Sequence, residues 1–134
     1  MTKKQIQLIQ RSWRLFQQIK PTIVGDVFYS KLFVISPSLQ KMFGTDMNAQ
    51  HEKLMEMLSL IVTRLDNLDV ISAEITDLAV RHIKYGVIPA YYKMVGEALL
   101  WTLEHGLGND WNEELKEAWE ACYKKLAAAM LASV

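Results

Sequence analysis

His82 closes an otherwise apolar helical face, and Gln50, 32 positions earlier, heads a second one. At about 3.6 residues per turn, Ile71, Ile75, Leu78 and His82 fall on one side of a helix. Gln50, Leu54, Leu58, Ile61 and Leu65 form the matching stripe upstream. Each stripe carries one isolated polar group. Two such faces set opposite each other would enclose a flat apolar ligand with a reactive centre, gripped from one side by an imidazole. A histidine that ends an apolar stripe is, on this feature alone, more often a core or capping residue than a ligand, and both readings stand at this point.

Composition bounds the alternatives. The chain has 134 residues, enough for one ordinary domain over 1–134 with a core that needs no staples. Fifteen Lys and Arg balance fifteen Asp and Glu, so the basic footprint of a nucleic-acid binder is missing. Cys122 is the only cysteine, which excludes an intramolecular disulfide and any cysteine-based zinc or iron–sulfur site, and suits a reducing interior. After Met1-Thr2-Lys3-Lys4-Gln5, further Gln and Arg interrupt the chain where the apolar core of a signal peptide would lie. No run approaches the ~20 apolar residues that span a bilayer. The expectation is a cytoplasmic protein with neither a nucleic acid nor a membrane as partner.

Apolar residues recur at helical spacing almost throughout, from Ile6, Ile9, Trp13 and Phe16 to Leu115, Trp119, Cys122, Leu126 and Met130. Strand alternation is absent. Thr2 with Gln5, and Asp110 with Glu113, have the spacing of a capping box, which predicts helix starts at both places. Lys20-Pro21 separates the first helix from a second that runs to about Ile35, because the residue before proline avoids helical torsions while proline suits a first turn. Ser36-Pro37-Ser38 turns the chain into a short helical piece ending near Phe43-Gly44, and a polar stretch from Thr45 to Asn48 follows. The Gln50 helix is expected to reach about Asp66, with a break at Asn67-Leu68-Asp69. The His82 helix should close at Tyr85-Gly86, and a helix opened by Pro89 should stop at His105-Gly106. The prediction is one all-α domain of six to eight helices.

This order of helices and landmarks resembles the globin family over essentially the full chain, in particular single-domain bacterial haemoglobins, the haem domain of flavohaemoglobins, and neuroglobin. The residues that carry the resemblance are Phe28-Tyr29 with Leu32-Phe33, Phe43 at the corner, Gln50 and Leu54, and Arg81-His82 before Tyr85-Gly86-Val87. Val95-Gly96-Glu97-Ala98-Leu99-Leu100 and Ala118-Trp119 complete it. Each motif is weak alone; their order and spacing together are specific.

The resemblance implies a globin fold around haem b. His82 then matches the proximal iron ligand, with its second ring nitrogen given to an unidentified acceptor, and Leu78 packs under the porphyrin. Phe43 would stack on the macrocycle, and Leu54 would crowd the distal face. Tyr29 and Gln50 could merely satisfy each other in a core. Over a haem they would instead stabilise dioxygen, which develops partial negative charge that carbon monoxide lacks. One charge-assisted hydrogen bond of about 1.5–3 kcal/mol slows oxygen loss roughly ten- to a hundredfold.

Neighbouring residues need weighing. A one-residue shift would put His51 in place of Gln50, but His51 should point about 100° away around the helix. With a disturbed register it could become a second axial ligand, as in neuroglobin. Lys53 reads as a solvated lysine or a propionate neighbour, and His105 as a histidine at a helix C-terminus. Tyr92 matches a tyrosine that, in flavohaemoglobins, joins the proximal histidine and a glutamate, yet the position of that glutamate falls on Val134 here. This departure counts against strong oxygen activation. The implied function is reversible binding of dioxygen and other diatomic gases. Nitric oxide dioxygenation with a separate reductase, and haem-based gas sensing, are the alternatives.

Overall fold

The computed structural model describes residues 1–43 and 47–134; Gly44 and Thr45, at the expected corner, lie outside the described residues. Helix α1 (Lys3–Phe16) starts on the predicted capping box, in which Thr2 and Gln5 satisfy each other's backbone N–H groups. Pro21 opens α2 (Pro21–Ile35), and Pro37 opens a 3-10 turn over Pro37–Met42. Helix α3 (Asn48–Thr63) stops three residues before the expected Asp66, and Leu68–Ile71 winds a 3-10 turn where a plain break was expected. Helix α4 (Ser72–Lys84) ends at Tyr85 with Gly86 at φ 89°, a torsion that favours glycine and lets the chain reverse toward Pro89.

Two ends differ from expectation. Helix α5 (Pro89–Leu107) passes through Gly106 and is closed instead by Gly108 at φ 54°. Helix α6 (Glu113–Ala132) is capped by Asn112, whose side chain accepts from the Leu115 backbone at 2.8 Å. Asp110 belongs to a 3-10 turn over Gly108–Asp110, so the helix begins later than its box spacing suggested. The structure is all-α, with no strand among the described residues, and no helix there is long and apolar enough to cross a membrane.

Burial follows the apolar stripes. Ile9, Trp13 and Phe16 of α1 meet Leu115, Trp119 and Cys122 of α6, each large apolar side chain contributing about 1.5–3 kcal/mol. The indoles keep their polar ends satisfied: Trp119 Nε1 donates to Ser12 Oγ at 3.0 Å, and Trp13 Nε1 to Ser59 Oγ at 3.1 Å.

The apolar interior falls into two parts. The larger joins α1, α2, α3, α5 and α6 around residues such as Phe28, Leu58, Leu99 and Trp119. The smaller is built from Ile61, Ile71, Ile75, Ala79, Leu126 and Met130, and it is the one to which α4 contributes its buried residues. Helix α2 lies against α3 and α5, whereas α4 docks on α6 and on the Leu68–Ile71 turn. No extended backbone approach joins α4 to α2 or α3 among the described residues.

Candidate functional site

Helix α2 presents Gly25, Phe28, Tyr29 and Leu32 inward, a spacing that places all four on one face. Tyr29 is 5% exposed and sits among rings. Phe28 and Phe43 meet it edge-on, with centroids at 4.9 and 5.3 Å, and Phe33 lies at 6.0 Å. Such offset and edge contacts fix an aromatic ring more firmly than area burial alone. From α3, Gln50 Nε2 donates to Tyr29 Oη at 3.1 Å. The phenol oxygen therefore accepts, and its own proton remains available to another acceptor. Burial raises the Tyr29 pKa above its ordinary value, the bond from Gln50 working the other way, so the group stays a neutral donor.

Leu54, one turn beyond Gln50, is half-buried against the larger cluster, as are Phe43 and Met47. Lys53 is exposed. His51 turns toward α2 rather than into the position of Gln50, and it is buried at 6% exposure. Its ring lies nearly parallel to that of Tyr29, at 5.7 Å and 17°. Gly25 makes room for it, since a Cβ at that position would stand 2.4 Å from His51 Cγ. Among the described residues, Nδ1 of His51 is the single buried side-chain nitrogen or oxygen with no hydrogen-bond partner. Leaving such a group unpaired costs about 1–3 kcal/mol.

Helix α4 carries His82, half-buried, with Nδ1 2.7 Å from the Leu78 carbonyl oxygen one turn earlier. A carbonyl only accepts, so Nδ1 holds the hydrogen and Nε2 keeps a free lone pair. Burial lowers the His82 pKa and neighbouring Arg81 adds to this, while the Leu78 bond opposes it. A neutral ring with one nitrogen tied to the backbone is the donor expected of an iron ligand. Leu78 and Tyr92 are half-buried beside the smaller cluster. Burial also raises the Tyr92 pKa. The Tyr92 backbone oxygen accepts from Tyr123 Oη at 2.5 Å, and Val134 is 56% exposed. His105 accompanies Trp101, stacked at 3.9 Å, with Nδ1 2.8 Å from the Trp101 carbonyl.

The structure thus brings Tyr29, Gln50, Phe43 and Leu54 into one wall, and places Leu78, His82 and Tyr92 on a second. The half-buried apolar residues and the tethered imidazole fit a flat apolar group with a metal at its centre. What the sequence reading missed is the inward burial of His51. The available signal was Gly25 in the interior of a helix, one turn before Tyr29, because a glycine there marks a close approach by a neighbour.

Residues 26–130 match the family described as Globin. Leghemoglobin of Canavalia lineata is 36% identical, covering 96% of this chain and 93% of that protein. An anaerobic nitrite reductase of Oryza sativa subsp. japonica is 31% identical, covering 96% and 92% respectively. Among solved structures, a bacterial globin from Campylobacter jejuni superposes with a TM-score of 0.87 at 24% identity, over 98% of this chain and 95% of the other. An engineered carbene transferase, made from a candidate nitric oxide dioxygenase of Rhodothermus marinus, gives a TM-score of 0.85 at 26% identity, over 96% and 89%. By the match to the family and by a relative aligned along nearly its whole length, the chain belongs to the globin family.

Proposed function

We propose that the protein binds haem b and takes up dioxygen reversibly, for storage, delivery or scavenging in the cytoplasm, with residues 1–134 acting as one haem-binding domain. The observation that carries this reading is the bond from Gln50 Nε2 to Tyr29 Oη, which leaves the phenol proton free for a ligand. Membership of the globin family supports the cofactor.

Haem, when bound, would supply an iron able to bind a diatomic gas. His82 Nε2 is the nitrogen that would hold that iron, and the Leu78 carbonyl sets the tautomer and the turn of the ring. Phe43 would stack on the porphyrin, Leu54 and Leu78 would cover its two faces, and Tyr92 would line the His82 side. Tyr29 would donate a hydrogen bond to such a gas, with Gln50 Nε2 holding the phenol oxygen in place. Dioxygen accepts that bond far better than carbon monoxide does, so the site holds dioxygen tightly.

Nitric oxide dioxygenation, with a separate reductase restoring the iron, is a second reading favoured by the likeness to the Rhodothermus marinus protein. Against it, His82 Nδ1 meets a neutral carbonyl, which polarises the imidazole less than a carboxylate would. Ferrous and ferric visible spectra of the wild type beside His82→Ala test the main reading. An intense Soret band that changes its coordination signature in the variant is expected. A protein left colourless after addition of hemin, or an unaltered spectrum in the variant, would refute it.

A further inference from the structure

We propose that His51 is a positioning residue for Tyr29, and that through Tyr29 it sets how strongly the site prefers dioxygen to carbon monoxide. This rests on the proposed haem-binding reading. A phenol O–H conjugates with its ring and prefers to lie in the ring plane, so whatever fixes the plane aims the proton. Gln50 holds only the oxygen at the tip of Tyr29. Of the rings around Tyr29, Phe28 and Phe43 touch it edge-on and Phe33 is tilted, while His51 alone lies nearly parallel, at 17°. A flat imidazole lying nearly parallel to Tyr29 at 5.7 Å adds to the resistance that the edge contacts give to rotation of the phenol plane.

The imidazole is itself held in place. Its Cγ and Cδ2 occupy the space that a side chain on Gly25 would take, one turn before Tyr29 on the same helix, so the two stacked rings are referenced to one backbone segment. Gln50 and His51 thus act as a pair from consecutive positions of α3: the amide fixes the oxygen and the imidazole fixes the plane.

The test uses the full-length haem protein with His51→Ala, His51→Phe, Tyr29→Phe and the His51→Ala/Tyr29→Phe double variant, measuring dissociation of dioxygen and of carbon monoxide. His51→Ala should speed dioxygen loss roughly three- to tenfold, a fraction of what a whole hydrogen bond supplies. Carbon monoxide loss should change less than about twofold, because that ligand gains little from a donor. His51→Phe restores a flat ring and should return the dioxygen rate to near the wild-type value. In the Tyr29→Phe background, His51→Ala should add nothing further. A second readout is carbon-13 NMR of labelled tyrosine, in which the Tyr29 ring should flip faster in His51→Ala than in wild type or His51→Phe. An unchanged dioxygen rate in His51→Ala, equal acceleration of both gases, or an effect that persists without the Tyr29 hydroxyl would overturn the proposal. If the wild type takes up no haem, the function reading fails by itself, and the Tyr29 ring-flip rates still decide whether His51 holds the ring.

Discussion

The Tyr29 wall and the His82 wall are built by different means. Tyr29 depends on α2 and α3 crossing at one distance: its hydrogen bond comes from Gln50 on the facing helix, and its ring contacts come from Phe28, Phe33, Phe43 and His51. His82 depends on a single turn of α4, because its Nδ1 partner is the backbone carbonyl of Leu78. One side is a tertiary construction and the other a local one. The lesson is that the donor can be tuned by distant packing changes, whereas the imidazole keeps its tautomer as long as α4 remains helical.

The largest effect is expected from His82→Gly, which should weaken retention of haem by roughly a hundredfold or more, beyond what loss of a supporting partner brings. Because one turn of helix is all that orders the ring, millimolar free imidazole should refill the site and restore the spectrum. Transfer of haem to a scavenging apoprotein, with and without imidazole, measures both. Tyr29→Phe comes next, with dioxygen loss faster by about ten- to a hundredfold. Free phenol should not repair it, since the donor is aimed by packing that a diffusing molecule cannot reproduce. Repair by phenol, read by stopped-flow, would erase the contrast between the two walls.

Gly25→Ala attacks the tertiary side from the back. A Cβ 2.4 Å from His51 Cγ must push the imidazole or the helices apart, an overpacking that costs about 1–3 kcal/mol. Thermal unfolding should fall by several degrees, and dioxygen loss should quicken while the His82-dependent spectrum stays as it was. Adding His51→Ala makes room for the new methyl group and should recover much of the lost stability; no recovery would locate the strain elsewhere.

The local features of the chain were the legible ones. Thr2 and Gln5, Pro21, Pro37 and Gly86 each act on the backbone within a few residues, so the starts of α1 and α2 and the end of α4 could be read directly. The start of α6 was misread because Asp110 and Asn112 are both good caps; the 3-10 turn after Gly108 takes up Asp110 and leaves Asn112 to cap. Gly106 looked like a stop, yet α5 continues one residue past it, because tertiary packing overrides a modest propensity penalty. In the site, helical spacing separated the direction of Gln50 from that of His51, but only the crossing with α2 decides what His51 meets. A wheel describes one helix. Burial between two needs the partner's shape, and here that shape is the missing side chain of Gly25.

Alkali gives a further contrast. The folded state keeps Tyr29 protonated above its ordinary pKa near 10, so dioxygen loss should be flat with pH through neutrality and up to about pH 10. Above that, the unfolded chain releases the tyrosine proton first and native stability declines as pH rises. A rate that already climbs near pH 8 would mean that the donor is not a buried phenol. The smallest effect belongs to Leu78→Ala. The side chain is half-buried against the smaller cluster, so its loss should cost about 1–2 kcal/mol, less than a fully enclosed leucine. The carbonyl that holds His82 Nδ1 belongs to the backbone and survives the substitution. Dioxygen dissociation should therefore stay within about twofold of the wild type, well below the tenfold step that one donor supplies. If Leu78→Ala disturbed the rate as much as Tyr29→Phe does, orientation of the imidazole would depend on packing across helices, and the two walls would be the same kind of structure after all.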